Sequence, residues 1–201
     1  MRRDYSWQEI CLYLGLTVAV CVLAGIYFWI QKKIMLKKAA TGEDQKKIVN
    51  IFKQLLPDTW GNYHLAYATW SKNEYEFRKT ITYYWYYAVA FDWDGMYVVP
   101  LRFEGGELLY KDSWYIAKDS LGMVNGAKGG DWMTLYDQER KEIVTLQVLA
   151  ENTKCGKDCR VNILQKEEAE AFSRLVDHWL DEVNGRNGVT VSGRYGEPFK
   201  K

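Results

Sequence analysis

The sequence predicts an α+β protein: one transmembrane helix near the N-terminus, then a small antiparallel β-barrel or sandwich of about seven strands closed by a C-terminal amphipathic helix. Three observations predict it. Ile10 to Ile30 runs ICLYLGLTVAVCVLAGIYFWI without a charged residue. From Thr80 onward, short runs rich in β-branched and aromatic residues alternate with Gly and Asp turns. Between Glu167 and Val183 the apolar residues return to helical spacing.

The apolar run comes first. At 1.5 Å per residue, 21 helical residues span roughly 30 Å, the thickness of a bilayer's hydrocarbon core. Trp7 precedes the run, and Tyr27, Phe28 and Trp29 close it, as interfacial rings do. A cleaved signal peptide has a shorter apolar region and a small-residue cleavage site, whereas Gln31-Lys32-Lys33 follows here. Residues 1–38 carry a net charge of +4 and the remainder −3. Lys32, Lys33, Lys37 and Lys38 outweigh Arg2 and Arg3, so the positive-inside bias places the chain in the cell membrane as a single-pass protein. The N-terminus is then outside and residues 31–201 cytoplasmic. These four lysines are the expected membrane-surface contacts, by their role as stop-transfer residues or by attraction to anionic lipid. Gly15 and Ala19, and Cys21 and Gly25, are spaced i, i+4, which permits a weak homodimer through the helix, although small residues are common in membrane spans.

Residues 31–79 form a basic collar, a juxtamembrane helix and a connector. Thr41 and Asp44 have capping-box spacing, and Ile48, Ile51, Phe52 and Leu55 make one apolar stripe before Pro57. The stripe is expected to pack on the domain that follows, residues 80–183. Its strands are predicted at Thr80–Phe91, Met96–Phe103, Leu108–Tyr110, Trp114–Ala117, Leu121–Val124, Trp132–Tyr136 and Ile143–Leu149, with a last candidate at Arg160–Leu164. The closing helix places Glu167 and Glu168 in its first turn and is expected to stop at Asn184-Gly185. Residues 184–201 read as a flexible tail, as residues 1–9 read as a short leading one.

Chemistry is sparse. Two histidines occur, His64 and His178, and neither has a nucleophile beside it in sequence. No P-loop, nucleophile elbow, dinucleotide fingerprint or HExxH motif is present. Gly126-Ala127-Lys128-Gly129-Gly130 lacks the Walker spacing and reads as a hairpin loop. No catalytic residue, cofactor or metal site is assigned, and the mildly acidic folded part argues against nucleic-acid binding. Cys11 and Cys21 lie in the apolar run. Cys155 and Cys159 lack the further ligands a zinc site needs. In the cytoplasm they are expected as free thiols; in an exported domain they are expected to bridge.

The stretch from Tyr83 to Val183 resembles pleckstrin-homology-like domains, in particular bacterial membrane-associated members. The similar segments are YYAVAFDWDGMYVVPLRF from Tyr86 to Phe103, WMTLYD from Trp132, KEIVTLQV from Lys141 and the closing FSRLVDHWL from Phe172. The resemblance implies a binding or scaffolding module with an unknown protein partner rather than an enzyme. The first hairpin loop departs from phosphoinositide-binding members, for Asp92-Trp93-Asp94-Gly95 holds two acids and no base. Two carboxylates repel phosphate, so head-group recognition at that loop is not expected. The expected function is a non-catalytic interaction domain at the inner membrane face. The alternatives are an exported envelope domain or an accessory subunit whose span makes the contacts.

Overall fold

The computed structural model describes residues 7–76, 79–104, 107–153, 161–190 and 199–200. Helix α1 runs without a break from Trp7 to Ala40. Its 34 residues extend about 50 Å, so it continues well past the apolar run. It is long and apolar enough to cross a membrane, and none of its apolar stretch is buried against the rest of the chain. A two-residue turn leads into α2, Glu43–Leu55. Gly42 takes the turn at φ 66°, a conformation that costs a side chain but not glycine. The expected capping box does not form. Thr41 follows α1 so closely that its hydroxyl donates to the Lys38 carbonyl; it accepts only a long bond of 3.4 Å from the Glu43 amide, and the N-cap itself is Gly42. Asp44 instead accepts from the Asn162 amide and from Lys47.

The body is one antiparallel sheet of eight strands: β1 His64–Glu76, β2 Lys79–Phe91, β3 Gly95–Glu104, β4 Glu107–Tyr110, β5 Trp114–Ala117, β6 Met123–Gly126, β7 Trp132–Tyr136 and β8 Glu142–Gln147. Their order is β4-β3-β2-β1-β8-β7-β6, with β5 beside β4 on the same edge of β3. Strand β1 falls in the region expected to be a connector. Its two alanines and its polar end from Lys72 to Glu76 hide it, yet it pairs with β2 along all 13 residues. The sheet is not closed into a barrel. Strands β1 and β8 meet at the single pair Thr69 and Gln147, and β6 remains an edge. Two short pairs complete the fold: β9 Glu151–Asn152 with β10 Ile163–Leu164, and β11 Val189–Thr190 with β12 Phe199–Lys200.

Helix α3, Lys166–Arg186, lies over the open side. Phe172, Val176, Trp179 and Val183 are fully buried among Val89, Phe91, Met96, Leu121, Met133 and Leu146 from the sheet. The opposite face packs on α2, where Ile48, Ile51 and Phe52 meet Tyr67, Ala88, Ala90 and Val99. The helix ends two residues later than the Asn-Gly signal suggests. Asn184 is buried inside it, and Gly188, at φ 64°, turns the chain away. The expected tail therefore begins with the last turn of α3.

Two buried amides join α3 to strand backbones. Gln165, just before the helix, accepts from the Tyr67 amide at 2.8 Å and donates to the Tyr67 and Leu149 carbonyls. Asn184 accepts from the Val124 amide at 3.0 Å and donates to its carbonyl at 2.8 Å. Each side chain occupies the donor and acceptor that a neighbouring strand would take. The outer surface of α3 adds ion pairs: Lys118 with Glu182 at 2.7 Å, Lys128 with Asp181 at 2.7 Å and Arg186 with Asp119 at 2.6 Å.

Replacing Gln165 by Leu keeps the volume but leaves a buried backbone amide without its acceptor. A loss of about 1–3 kcal/mol in unfolding free energy is expected from chemical denaturation. The Glu182 carboxylate is held below its usual range, chiefly by its hydrogen bond from Lys118. A depressed carboxylate stabilises the fold above its unfolded pKa and loses that contribution as pH falls through the folded value. Glu182→Gln should therefore lower the melting temperature at pH 7, and the difference from wild type should shrink as the pH falls below the ordinary carboxylate range.

Candidate functional site

Strands β1 and β2 are longer than the body they belong to. Beyond Thr69 on β1 and Tyr86 on β2, each pairs only with the other. Residues 70–76 and 79–85 thus form a two-stranded ribbon that leaves the sheet. Side chains alternate between its faces. Register puts Thr69, Ser71, Asn73 and Tyr75 on one face with Tyr86, Tyr84, Thr82 and Thr80. Trp70, Lys72 and Glu74 share the other face with Trp85, Tyr83 and Ile81.

The second face continues the surface that α3 covers further along, but α3 does not reach it. It presents a cluster of rings instead. Tyr83 and Trp85 lie 6.2 Å apart, Trp70 and Trp132 also 6.2 Å. Tyr83 and Trp85 are exposed, whereas Trp70 and Trp132 are half-buried. At the inner margin the phenol of Tyr87 is pushed up, first by burial and then by the charge of Glu142, so it stays a protonated donor. The β1 strand of the ribbon and its tip are charged: Lys72 pairs with Glu74 at 3.3 Å beside the rings, and Glu76 stands opposite Lys79. Charges on an edge discourage pairing with another strand. The rings, rather than the backbone, are what this ribbon offers a partner.

The first face, towards α1, is a groove of about 800 Å³. Phe28, Gln31, Lys32 and Met35 of α1 form one wall; Thr69, Ser71, Tyr84 and Tyr86 of the ribbon's base form the other. Glu151 and Asn152 complete its rim. Lys32 lies 3.7 Å from Glu151, with both side chains largely exposed. Of the four lysines expected at the membrane surface, Lys32 therefore turns to the domain. Lys33 folds over the Trp29 ring at 3.9 Å, and Lys37 and Lys38 are exposed in the last turn of α1. Nothing lies within 4 Å of where a Cβ would stand on Gly15 or Gly25, so this chain leaves both small-residue faces of the span open. Cys11 and Cys21 are free and exposed on the same helix. Cys155 and Cys159 lie outside the described residues, as does the Gly105-Gly106 turn.

A smaller cavity of about 170 Å³ lies at the far end of β2, lined by His64, Asp92, Trp93 and Arg174 among others. Asp92, Trp93 and His64 serve structural contacts there. Asp92 accepts from the amides of Asp94 at 3.0 Å and Gly95 at 2.9 Å, so its carboxylate builds the first hairpin turn. Asp94 lies 3.7 Å from Lys118. His64 packs its ring against Phe91, and His178 its ring against Trp93. The phenols of Tyr63 and Tyr115 are raised, by burial first, with Asp92 among the further causes, which keeps both neutral. The glycine loop after β6 is pinned to α3 by Lys128 to Asp181 and by the Gly129 amide to Asp177. Among the described residues no three His, Cys, Asp or Glu side chains group closely enough to hold a metal ion.

The strand period alone puts the rings of Tyr83 and Trp85 on one face and those of Tyr84 and Tyr86 on the other. The groove was not legible, because Lys32 and Glu151 lie far apart in sequence and only the fold brings them together. Comparison with protein-family models, with curated proteins and with solved structures finds no match to this chain.

Proposed function

We propose that this chain is a single-pass membrane protein whose domain is a non-catalytic interaction module, facing the cytoplasm and recruiting a protein partner at the inner membrane face. The carrying observation is the uncovered pair of rings at Tyr83 and Trp85, with the half-buried Trp70 cross-strand from Trp85. Contiguous exposed rings mark contact surfaces, and Trp and Tyr dominate the energetics of protein interfaces. A two-stranded ribbon is only marginally stable by itself, so a partner laid over this face also stabilises the ribbon. The lysine-rich end of α1 supports the orientation, and the charged edges favour side-chain docking over strand addition. A pleckstrin-homology-like identity is supported by the plan of the body: four meandering strands with β5 beside β4, three more, and a final helix over the open side.

A photo-crosslinking amino acid at Tyr83 of the full chain, expressed in intact cells, should yield one discrete protein adduct. Trp85→Ala should weaken that partner about 30-fold, as loss of a central aromatic anchor worth roughly 2 kcal/mol does. The same substitution should leave membrane retention unchanged. Absence of any adduct, or an adduct indifferent to Trp85, would remove the partner surface. A C-terminal reporter with thiol labelling of Cys155 and Cys159 tests the orientation. An external C-terminus with bridged cysteines would make this an envelope domain instead.

A further inference from the structure

We propose that the groove between α1 and the base of the ribbon holds the head group of a zwitterionic membrane phospholipid, its phosphate against Lys32 and its ammonium against Glu151. The inference rests on α1 spanning the bilayer, but not on the partner surface or on which side the domain faces.

Depth is the first argument. The uncharged run of α1 ends at Ile30. Phe28 lies about 3 Å inside that limit and Met35 about 7 Å outside it, at 1.5 Å per residue. The head-group layer on one side of a bilayer is roughly 5–7 Å thick. The α1 wall of the groove therefore crosses from the acyl boundary through the head-group layer. Thr69, Ser71, Tyr84 and Tyr86 stand across the groove from that wall. A space at this depth, open on one side, faces lipid rather than bulk water.

Chemistry is the second. Apolar groups at Phe28, Leu149 and Met35 suit acyl and glycerol carbons; Gln31, Gln147 and Asn152 supply hydrogen bonds to esters. Among the described residues only two lining side chains carry charge, Lys32 and Glu151, and they cancel. They stand 3.7 Å apart and are 63% and 40% exposed, a loose pair that exchanges readily for better partners. A zwitterion satisfies both. An anionic lipid satisfies Lys32 but sets its net charge beside Glu151. The selectivity runs against the general attraction of Lys33, Lys37 and Lys38 for anionic lipid, so the two effects separate by mutation.

The test uses the full chain, delipidated in mild detergent and titrated with phosphatidylethanolamine or phosphatidylglycerol of identical acyl chains. Native mass spectrometry reads the bound lipid. Wild type should retain phosphatidylethanolamine about fivefold more tightly than phosphatidylglycerol, the ratio one surface ion pair provides. Glu151→Gln should bring that ratio close to one. Lys32→Gln should weaken both lipids, whereas Lys37→Gln, which removes only general attraction for anionic lipid, should raise the ratio. Ser71→Trp should fill the groove and abolish retention of either lipid. Should Ser71→Trp disturb folding, the exposed Glu151→Gln still decides. Wild-type preference for phosphatidylglycerol, or a ratio unmoved by Glu151→Gln, overturns the proposal. So does a crosslinker at Thr153 that captures protein instead of lipid in intact membranes. Release of the chain by alkaline carbonate would overturn the anchor itself, and loss of the Tyr83 adduct with intact lipid selectivity would overturn only the partner surface.

Discussion

An open antiparallel sheet of this size depends on what satisfies its unpaired strand backbones. Here one helix does so twice. Gln165 and Asn184 stand at the two ends of α3 and grip Tyr67 and Val124 through paired amide hydrogen bonds. A buried amide that bonds both groups of one residue reproduces a step of strand pairing without a strand. The apolar stripe between them supplies burial, but burial is non-directional and would tolerate a helix slid by a turn. The two amides fix the register, because each would otherwise be a buried polar group without partners, at a cost of about 1–3 kcal/mol each. Trp179 adds a third directional contact, its indole donating to the Trp93 carbonyl at 2.9 Å.

With the helix fixed, the extent of its cover is fixed as well. Helix α3 reaches the inner halves of β1 and β2 and stops there, while α2 covers the inner half of the other face. Both strands run on. Their outer halves keep hydrogen bonding to each other, but no layer covers the face of Tyr83 and Trp85 and only the groove to α1 adjoins the base of the other, which is the situation in which ring-rich strands gather contacts from outside the domain. The Asn73 and Thr82 side chains bond each other at 2.8 Å across the ribbon, and Tyr84 stacks along it on Tyr86. Local pairs of this kind hold the ribbon straight without burying it.

Much of this was legible as periodicity. The apolar run, the Ile48–Leu55 stripe and the stripe of α3 are unambiguous because helical spacing recurs over several turns. Strand β2 is legible because nearly every residue from Thr80 to Phe91 favours extended backbone. Strand β1 is not, since Ala66 and Ala68 are small enough to suit any element and Lys72 to Glu76 carry no alternation. Its assignment comes from its partner: β2 needs a neighbour, and β1 is the segment that reaches it. Asn184 misled for a physical reason. An Asn-Gly pair ends helices when the side chain is exposed, but here its amide is drawn inward by the unpaired edge of β6, and the helix continues to Arg186. The openness of the sheet was equally hidden, because closure depends on register between β1 and β8, which no local pattern encodes.

The connection to the anchor has a further consequence. Helix α1 does not end with the uncharged run; it continues about 15 Å beyond Ile30 before the turn at Thr41 and Gly42. Ala39 is buried, α2 begins after a two-residue turn at Thr41 and Gly42, and α2 is bonded into the body through Asp44 to Asn162, Gln45 to Glu168 and Gln54 to Tyr110. A flexible linker would let a tethered domain sample all orientations above the bilayer. A continuous helix with a two-residue turn does not. If α1 spans a bilayer as proposed, the groove is held at the depth of the lipid head groups, while Tyr83 and Trp85, on the other face of the ribbon, are held turned away from α1. Whatever engages those rings meets them in one orientation, with the entropy of aligning the domain already spent in folding rather than at the moment of binding.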